Sequence, residues 1–226
     1  MKITYYGHSC FQVEVAGKRL LFDPFITPNP LAAAIDITQL QPDYILLSHG
    51  HFDHVADVES IVRQSGATLI GCYEVVAWFR SKGIEKCHDM NLGGSWNFDF
   101  GRVTFTAAVH SSSMPDGSYG GQPGGFLVKT EEGSFYYSGD TALTRDMKLV
   151  AAQGSLKFAV LCMGDNFTMG VSDALTAAAW LECREIIGVH YDTFPSIKID
   201  HAVAQKAFQA AGRTLHLLSV GATLNK

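Results

Sequence analysis

Four strand-like runs of this chain lead into side chains that bind metal ions. Tyr44–Leu47 leads to His49, Arg102–Val109 to His110, Ser134–Ser138 through Ser-Gly to Asp140, and Glu185–Val189 to His190. Strands that run parallel finish on one rim of a sheet, where α/β proteins gather their ligands. The recurrence therefore constrains the fold: these strands share an edge, and that edge carries the chemistry.

The signal is densest in Ser48-His49-Gly50-His51-Phe52-Asp53-His54. Imidazoles at i and i+2 point the same way on an extended backbone and can share one ion. A tight turn at Phe52 then brings Asp53 and His54 to the same mouth, placed for a second ion nearby. Neutral imidazole and carboxylate suit zinc, manganese or iron. Four ligands do not complete two sites, and His110, Asp140 and His190 are the candidates for the rest. His8, in Gly7-His8-Ser9-Cys10, also follows a strand; it either lines the same cleft as a substrate or proton-transfer residue or caps an ordinary turn. Asp23, after Leu21-Phe22, either holds a ligand histidine in place or ends its strand in a simple turn. His88, His201 and His216 lack such a setting and read as surface or core residues.

Around these positions the pattern is one of short strands and helices. Strands are expected at 2–6, 11–15, 18–22, 43–47, 67–72, 95–100, 102–109, 125–130, 134–138, 157–162, 185–189 and 214–220. Helices are expected at 54–64, 74–82, 144–153, 172–183 (with Ser172 as N-cap) and 200–211. With 226 residues, 47% of them hydrophobic, the chain can bury a sizeable core, and no linker divides it. It reads as a single domain, 1–226, with two strand-rich halves. Two loops stand out: His110–Gly124, long for a connection with no pattern of its own, and Gly164–Gly170 (GDNFTMG), between a strand and a helix.

Charge and composition weigh against several classes. There are 22 acidic and 17 basic residues, a net charge of −5, and no basic cluster that would grip nucleic acid. The N-terminus lacks the continuous apolar stretch of a signal peptide, and no run reaches the roughly 18 apolar residues of a spanning helix. Five scattered cysteines without C-x-x-C form neither a disulfide frame nor a thiolate knuckle. The expectation is a cytoplasmic protein with a small-molecule substrate and no membrane or nucleic-acid partner; association with a second copy stays open.

In order and spacing, His49-x-His51-x-Asp53-His54, His110, Asp140 and His190 resemble the metal ligands of the metallo-β-lactamase superfamily. Within it, the chain resembles the UPF0173 metal-dependent hydrolases, relatives of the ascorbate-6-phosphate lactonases. That likeness rests on Gly7-His8-Ser9-Cys10-Phe11, Asp23-Pro24-Phe25, GDNFTMG at 164–170 and His190-Tyr191-Asp192-Thr193-Phe194-Pro195. The resemblance implies a four-layer αββα sandwich with the site on one edge. It also implies one metal on His49, His51 and His110, a second on Asp53, His54 and His190, and Asp140 bridging them. The superfamily's redox di-iron branch typically has glutamate where this chain has His51, which favours hydrolysis.

Two divalent ions a few ångström apart, zinc or manganese, lower the pKa of a shared water toward about 7 and yield hydroxide at neutral pH. The expected activity is hydrolysis of a small ester, lactone or phosphodiester, with Asp53 orienting the nucleophile as well as ligating. Substrate contacts are expected from the 110–124 loop, from Asn166 and Thr168, and from Pro28-Asn29-Pro30. The loop glycines either let backbone N–H groups approach an anion or permit tight packing. An iron-dependent redox enzyme and a non-catalytic metal-binding protein are the alternatives.

Overall fold

Ile3 and Tyr5, then Phe11, Val13 and Val15, alternate with polar residues, and the run Leu20-Leu21-Phe22 is buried throughout. β1 (Lys2–Gly7), β2 (Cys10–Val15) and β3 (Lys18–Phe22) form an antiparallel meander. The parallel strands β4 (Tyr44–Leu46), β5 (Thr68–Cys72) and β6 (Cys87–Met90) continue it. The structure is a computed structural model that describes all 226 residues. A second sheet starts with β7 (Ser95–Phe98), β8 (Gly101–Ala107), β9 (Gly124–Thr130) and β10 (Gly133–Tyr137), all antiparallel neighbours. β11 (Phe158–Cys162), β12 (Glu185–Val189) and β13 (Thr214–His216) then add in parallel. The last strand, β14 (Thr223–Asn225), returns to pair with β1, so each sheet has seven strands.

The sheets meet face to face on aromatic residues. Phe11 and Phe22 from the first stack at 4.5 Å, and Phe22 meets Phe126, Phe135 and Tyr137 of the second edge-on at 5.7–6.1 Å. All five are fully buried, and each such side chain contributes roughly 1.5–3 kcal/mol of burial free energy. Outside the first sheet lie α1 (Phe52–Val55), α2 (Val58–Ser65) and α3 (Tyr73–Ser81). Val58, Ile61, Val75 and Phe79 of α2 and α3 join its core. α4 (Met147–Ala151), α5 (Val171–Trp180) and α6 (His201–Ala210) cover the second sheet, with Ala174, Ala177, Ala178 and Phe208 buried. The result is the expected αββα sandwich.

Several elements differ from the sequence reading. The helix expected at 54–64 is two helices, because Asp57 turns away to accept from the Ile26 and Thr27 amides at 2.6 and 2.9 Å while its own amide donates to Pro24. α5 begins at Val171 with Gly170 as N-cap, so Ser172 lies inside the first turn. β6 and β14 had no expectation, and the 214–220 strand stops at His216. β8, β10 and β12 do run the same way, since β8 and β10 are each antiparallel to β9 and β12 is parallel to β10 through β11. His190 immediately follows its strand, whereas His49, His110 and Asp140 each lie three residues past theirs.

Candidate metal centre

One group of imidazoles comes from the turn after β4 and the loop after β8. Nitrogens of His49, His51 and His110 lie within 4.8 Å of one another, and His49 Nε2 stands 2.9 Å from His51 Nδ1. A second group, His8, Asp53, His54 and His190, meets the same distance limit. It draws on the β1–β2 turn, α1 and the end of β12. Asp140 lies between the two groups: its Oδ2 is 3.2 Å from His54 Nε2, 2.9 Å from His190 Nε2 and 3.7 Å from His110 Nε2.

Beneath them Asp23 organises the tautomers. Its carboxylate accepts from the Ser48 amide (2.8 Å), Ser48 Oγ (2.5 Å), His54 Nδ1 (2.8 Å) and Tyr137 Oη (2.6 Å), all buried. Because Ser48 Oγ donates to Asp23, it accepts from His49 Nδ1 at 2.9 Å. In the neutral form both His49 and His54 therefore direct an unprotonated Nε2 toward the centre, the arrangement in which imidazole ligates a metal. His8 lies deeper. The neutral ring satisfies both its contacts by donating from Nε2 to Asp53 Oδ2 at 3.0 Å and accepting at Nδ1 from Thr193 Oγ1 at 2.9 Å. His8, Asp23 and His190 adopt left-handed backbone with φ of 53°, 42° and 57°. Such conformations store strain and cluster at functional sites, and the His190 amide donates to His8 O at 2.9 Å to tie two of these turns together.

The donor set fits divalent cations. His54 Nε2 and Asp140 Oδ1 are buried without a hydrogen-bond partner, a state that costs several kcal/mol unless a charge compensates it. Burial, then the charge of His54, pushes His49 far below the usual histidine range. Burial alone would lower His54 as well, but Asp140 and Asp23 outweigh it and raise it. Burial pulls His8 down to about 4, with His190 adding in the same direction. For Asp53 and Asp140 burial opposes ionisation, yet the surrounding histidines hold both carboxyls well below their ordinary range. Three neutral imidazoles on one side and ionised carboxylates between and beyond them make a borderline-hard N/O set.

Comparison with known proteins agrees with this geometry. A Beta-lactamase superfamily domain model matches residues 18–191. A UPF0173 metal-dependent hydrolase of Flavobacterium johnsoniae is 50% identical over 99% of both chains. The chain belongs to the UPF0173 family of metal-dependent hydrolases. A metallo hydrolase of the hyperthermophilic archaeon Ignicoccus hospitalis, Igni18, is 31% identical with a TM-score of 0.89, covering 99% of this chain and 97% of the other. An isothiocyanate hydrolase from Delia radicum gut bacteria shares the fold at a TM-score of 0.81 and 19% identity, over 100% and 99% of the two chains.

In this UPF0173 hydrolase the two groups open into a cleft of about 280 Å³. Its walls include His51, Asp53, His110, Asp140 and His190, and its mouth is formed by Ser111, Phe167 and Phe194. Neither Asn166 nor Thr168 lines it. Asn166 is exposed and Thr168 Oγ1 donates to the next carbonyl, so the turn presents Phe167 between them. Asn29 is buried, with its side chain capping the short helix at Pro30–Ala32, and makes no part of the cleft. In the 110–124 loop packing prevails over anion binding. The amides of Gly117, Gly120 and Gly124 donate to Met114, Ser112 and Ser48 carbonyls, and a Cβ on Gly121 would stand 2.8 Å from Cys72 Sγ. A larger recess, about 810 Å³, lies away from the histidines among Met1, Lys2, Glu14, Lys18, Glu132 and Lys226.

Proposed function

We propose that this hydrolase cleaves a small ester, lactone or phosphodiester with water, using two divalent cations, zinc or manganese. His49, His51 and His110 would hold one, Asp53, His54 and His190 the other, with Asp140 shared. The observation that carries this reading is the position of Asp140 Oδ2, within 3.7 Å of imidazoles from both groups. When bound, the cations supply Lewis-acid activation of water and of the oxygen that takes up charge as the bond breaks.

The chain's own groups divide the remaining work. Asp53, held ionised well below the ordinary carboxylate range, is a poor proton acceptor, so its role is to orient the attacking water by accepting a hydrogen bond. His8 fixes Asp53 through the 3.0 Å bond from Nε2, and Thr193 fixes His8. The cleft, at about 280 Å³, suits a small molecule better than a polymer.

Elemental analysis followed by a chromogenic panel of esters, lactones and phosphodiesters tests the reading. The expected result is up to two zinc or manganese ions per chain, with turnover abolished by chelation and restored by metal. Full metal content with no turnover across the panel would sink hydrolysis, and an iron chromophore in aerobically purified protein would replace it with redox chemistry.

A further inference from the structure

None of the residues lining the cleft is lysine or arginine, and none occurs in 23–30 (DPFITPNP), 49–54 (HGHFDH), 110–124 (HSSSMPDGSYGGQPG), 164–170 (GDNFTMG) or 190–195 (HYDTFP); the Asp140 loop reaches the exposed Arg145 five residues further on. The chain has 17 such residues, so the site is selectively without them. A phosphorylated substrate would find no guanidinium or ammonium partner for its anion there.

Aromatic side chains occupy the mouth instead. Phe167, which lines the cleft, is 56% exposed, although its ring would gain free energy by burial. Phe194, which lines the cleft, is backed by buried Phe25 at 6.4 Å, and Phe25 meets Phe52 edge-on at 5.9 Å. Phe167 is held out by a tight turn. Asp165 and Asn166 adopt left-handed backbone, φ 61° and 51°. The turn is anchored below by the buried Met169, whose amide donates to Thr141 O at 2.9 Å, next to Asp140. Two consecutive left-handed residues that expose a phenyl ring beside a catalytic cleft are strain placed where a ligand would use it.

We infer that the substrate is a neutral ester or lactone bearing an alkyl or aromatic group, which Phe167 and Phe194 receive at the mouth; the inference rests on the hydrolytic reading above. Water's oxygen bonds to the acyl carbon, the acyl C–O bond breaks, the alcohol oxygen takes one of water's protons, and the acid product leaves ionised with the other proton released to solvent. The phosphodiester arm of the broader reading is thereby set aside.

The test separates binding from turnover. Protein loaded with the metal it retains is titrated calorimetrically with straight-chain hydroxamates, acetyl to octanoyl, whose head chelates a divalent cation. Affinity is expected to climb two- to fourfold per methylene, about the worth of a buried CH₂, and the slope to flatten in Phe167→Ala and in Phe194→Ala. Chain-length-independent affinity, or a slope that survives in both variants, overturns the inference. Turnover of p-nitrophenyl acetate through octanoate runs alongside bis(p-nitrophenyl) phosphate. A rising ester series supports the inference and preference for the phosphodiester overturns it. No turnover with the hydroxamate slope intact sinks hydrolysis and leaves the ligand class standing.

Discussion

The floor of the cleft and its mouth are held by different forces. On the floor, one carboxylate, Asp23, accepts four hydrogen bonds of 2.5–2.8 Å from Ser48, His54 and Tyr137, and every group is buried. At the mouth, Phe167 stands in water on a turn held by backbone geometry and one anchor, Met169. Buried polar networks leave unsatisfied atoms when a member is removed, whereas an exposed ring leaves only water. On the proposed reading, this contrast puts reaction class in the floor and substrate choice in the mouth. The first should be intolerant of substitution and the second free to vary.

The largest break comes from Asp140→Ala. It removes the one charge in reach of both histidine groups, so metal content should fall from two toward one and activity by several orders of magnitude. Elemental analysis and turnover check both, and a variant that keeps two tightly held ions would refute the shared role. Asp23→Asn comes next. Asn matches the shape but turns one acceptor into a donor facing Ser48, His54 or Tyr137. Metal affinity should drop about 10–100-fold by chelator competition. Stability should fall by about 1–3 kcal/mol in urea denaturation. An unchanged affinity would show that His54 needs no help from below.

His8→Ala should cost less, because in this reading His8 acts through Asp53. Metal content should stay full while turnover falls about 10²-fold, the effect of a misplaced catalytic group. Loss of an ion would make His8 a ligand. A pH signature accompanies it in metal-free protein. Burial lowers the folded-state pKa of His8 to about 4, while the unfolded chain takes up its proton near 6.5. Between those values the unfolded chain binds more protons, so stability rises with pH and is lost as pH falls from 6.5 to 4. The contribution at stake is about 3 kcal/mol. His49, His51 and His110 are lowered too, foremost by burial, and act in the same sense. His54, raised, acts oppositely: its contribution is present at low pH and lost as pH rises. The difference between wild type and His8→Ala across this window isolates the His8 share; parallel curves would contradict the burial argument.

Much of the floor could be read from the chain, since His49, His51, Asp53 and His54 sit at a spacing dictated by backbone geometry. Asp23 and His8 were visible only as alternatives, because what they touch depends on β-strands far apart in sequence. The mouth was less legible. GDNFTMG stands out as a ligand loop, but which of Asn166, Phe167 and Thr168 faces the cleft follows from left-handed φ at Asp165 and Asn166. Polar residue type pointed to Asn166 and Thr168, whereas the side chain that lines the cleft is Phe167 between them. The break between α1 and α2 likewise depends on Asp57 reaching Ile26 and Thr27 across 30 residues. β6 went unseen because Cys87–Met90 is half-exposed for most of its length and gains its strand character by pairing with β5.

The smallest expected effect is on the stability of Phe167→Ala. A core ring such as Phe22, fully buried between the sheets, should cost about 3–5 kcal/mol on truncation, from lost burial plus the cavity left behind. Phe167 is 56% exposed, and its turn is held by the backbone and by Met169. Its removal should change the unfolding free energy measured in urea by no more than about 0.5 kcal/mol, with far-UV circular dichroism unchanged. That near-silence gives the binding experiment its meaning, because a flattened chain-length slope in a variant of unaltered stability reports the mouth alone. A loss above about 2 kcal/mol would place the ring in the structural core of the turn, and the division between floor and mouth would no longer hold.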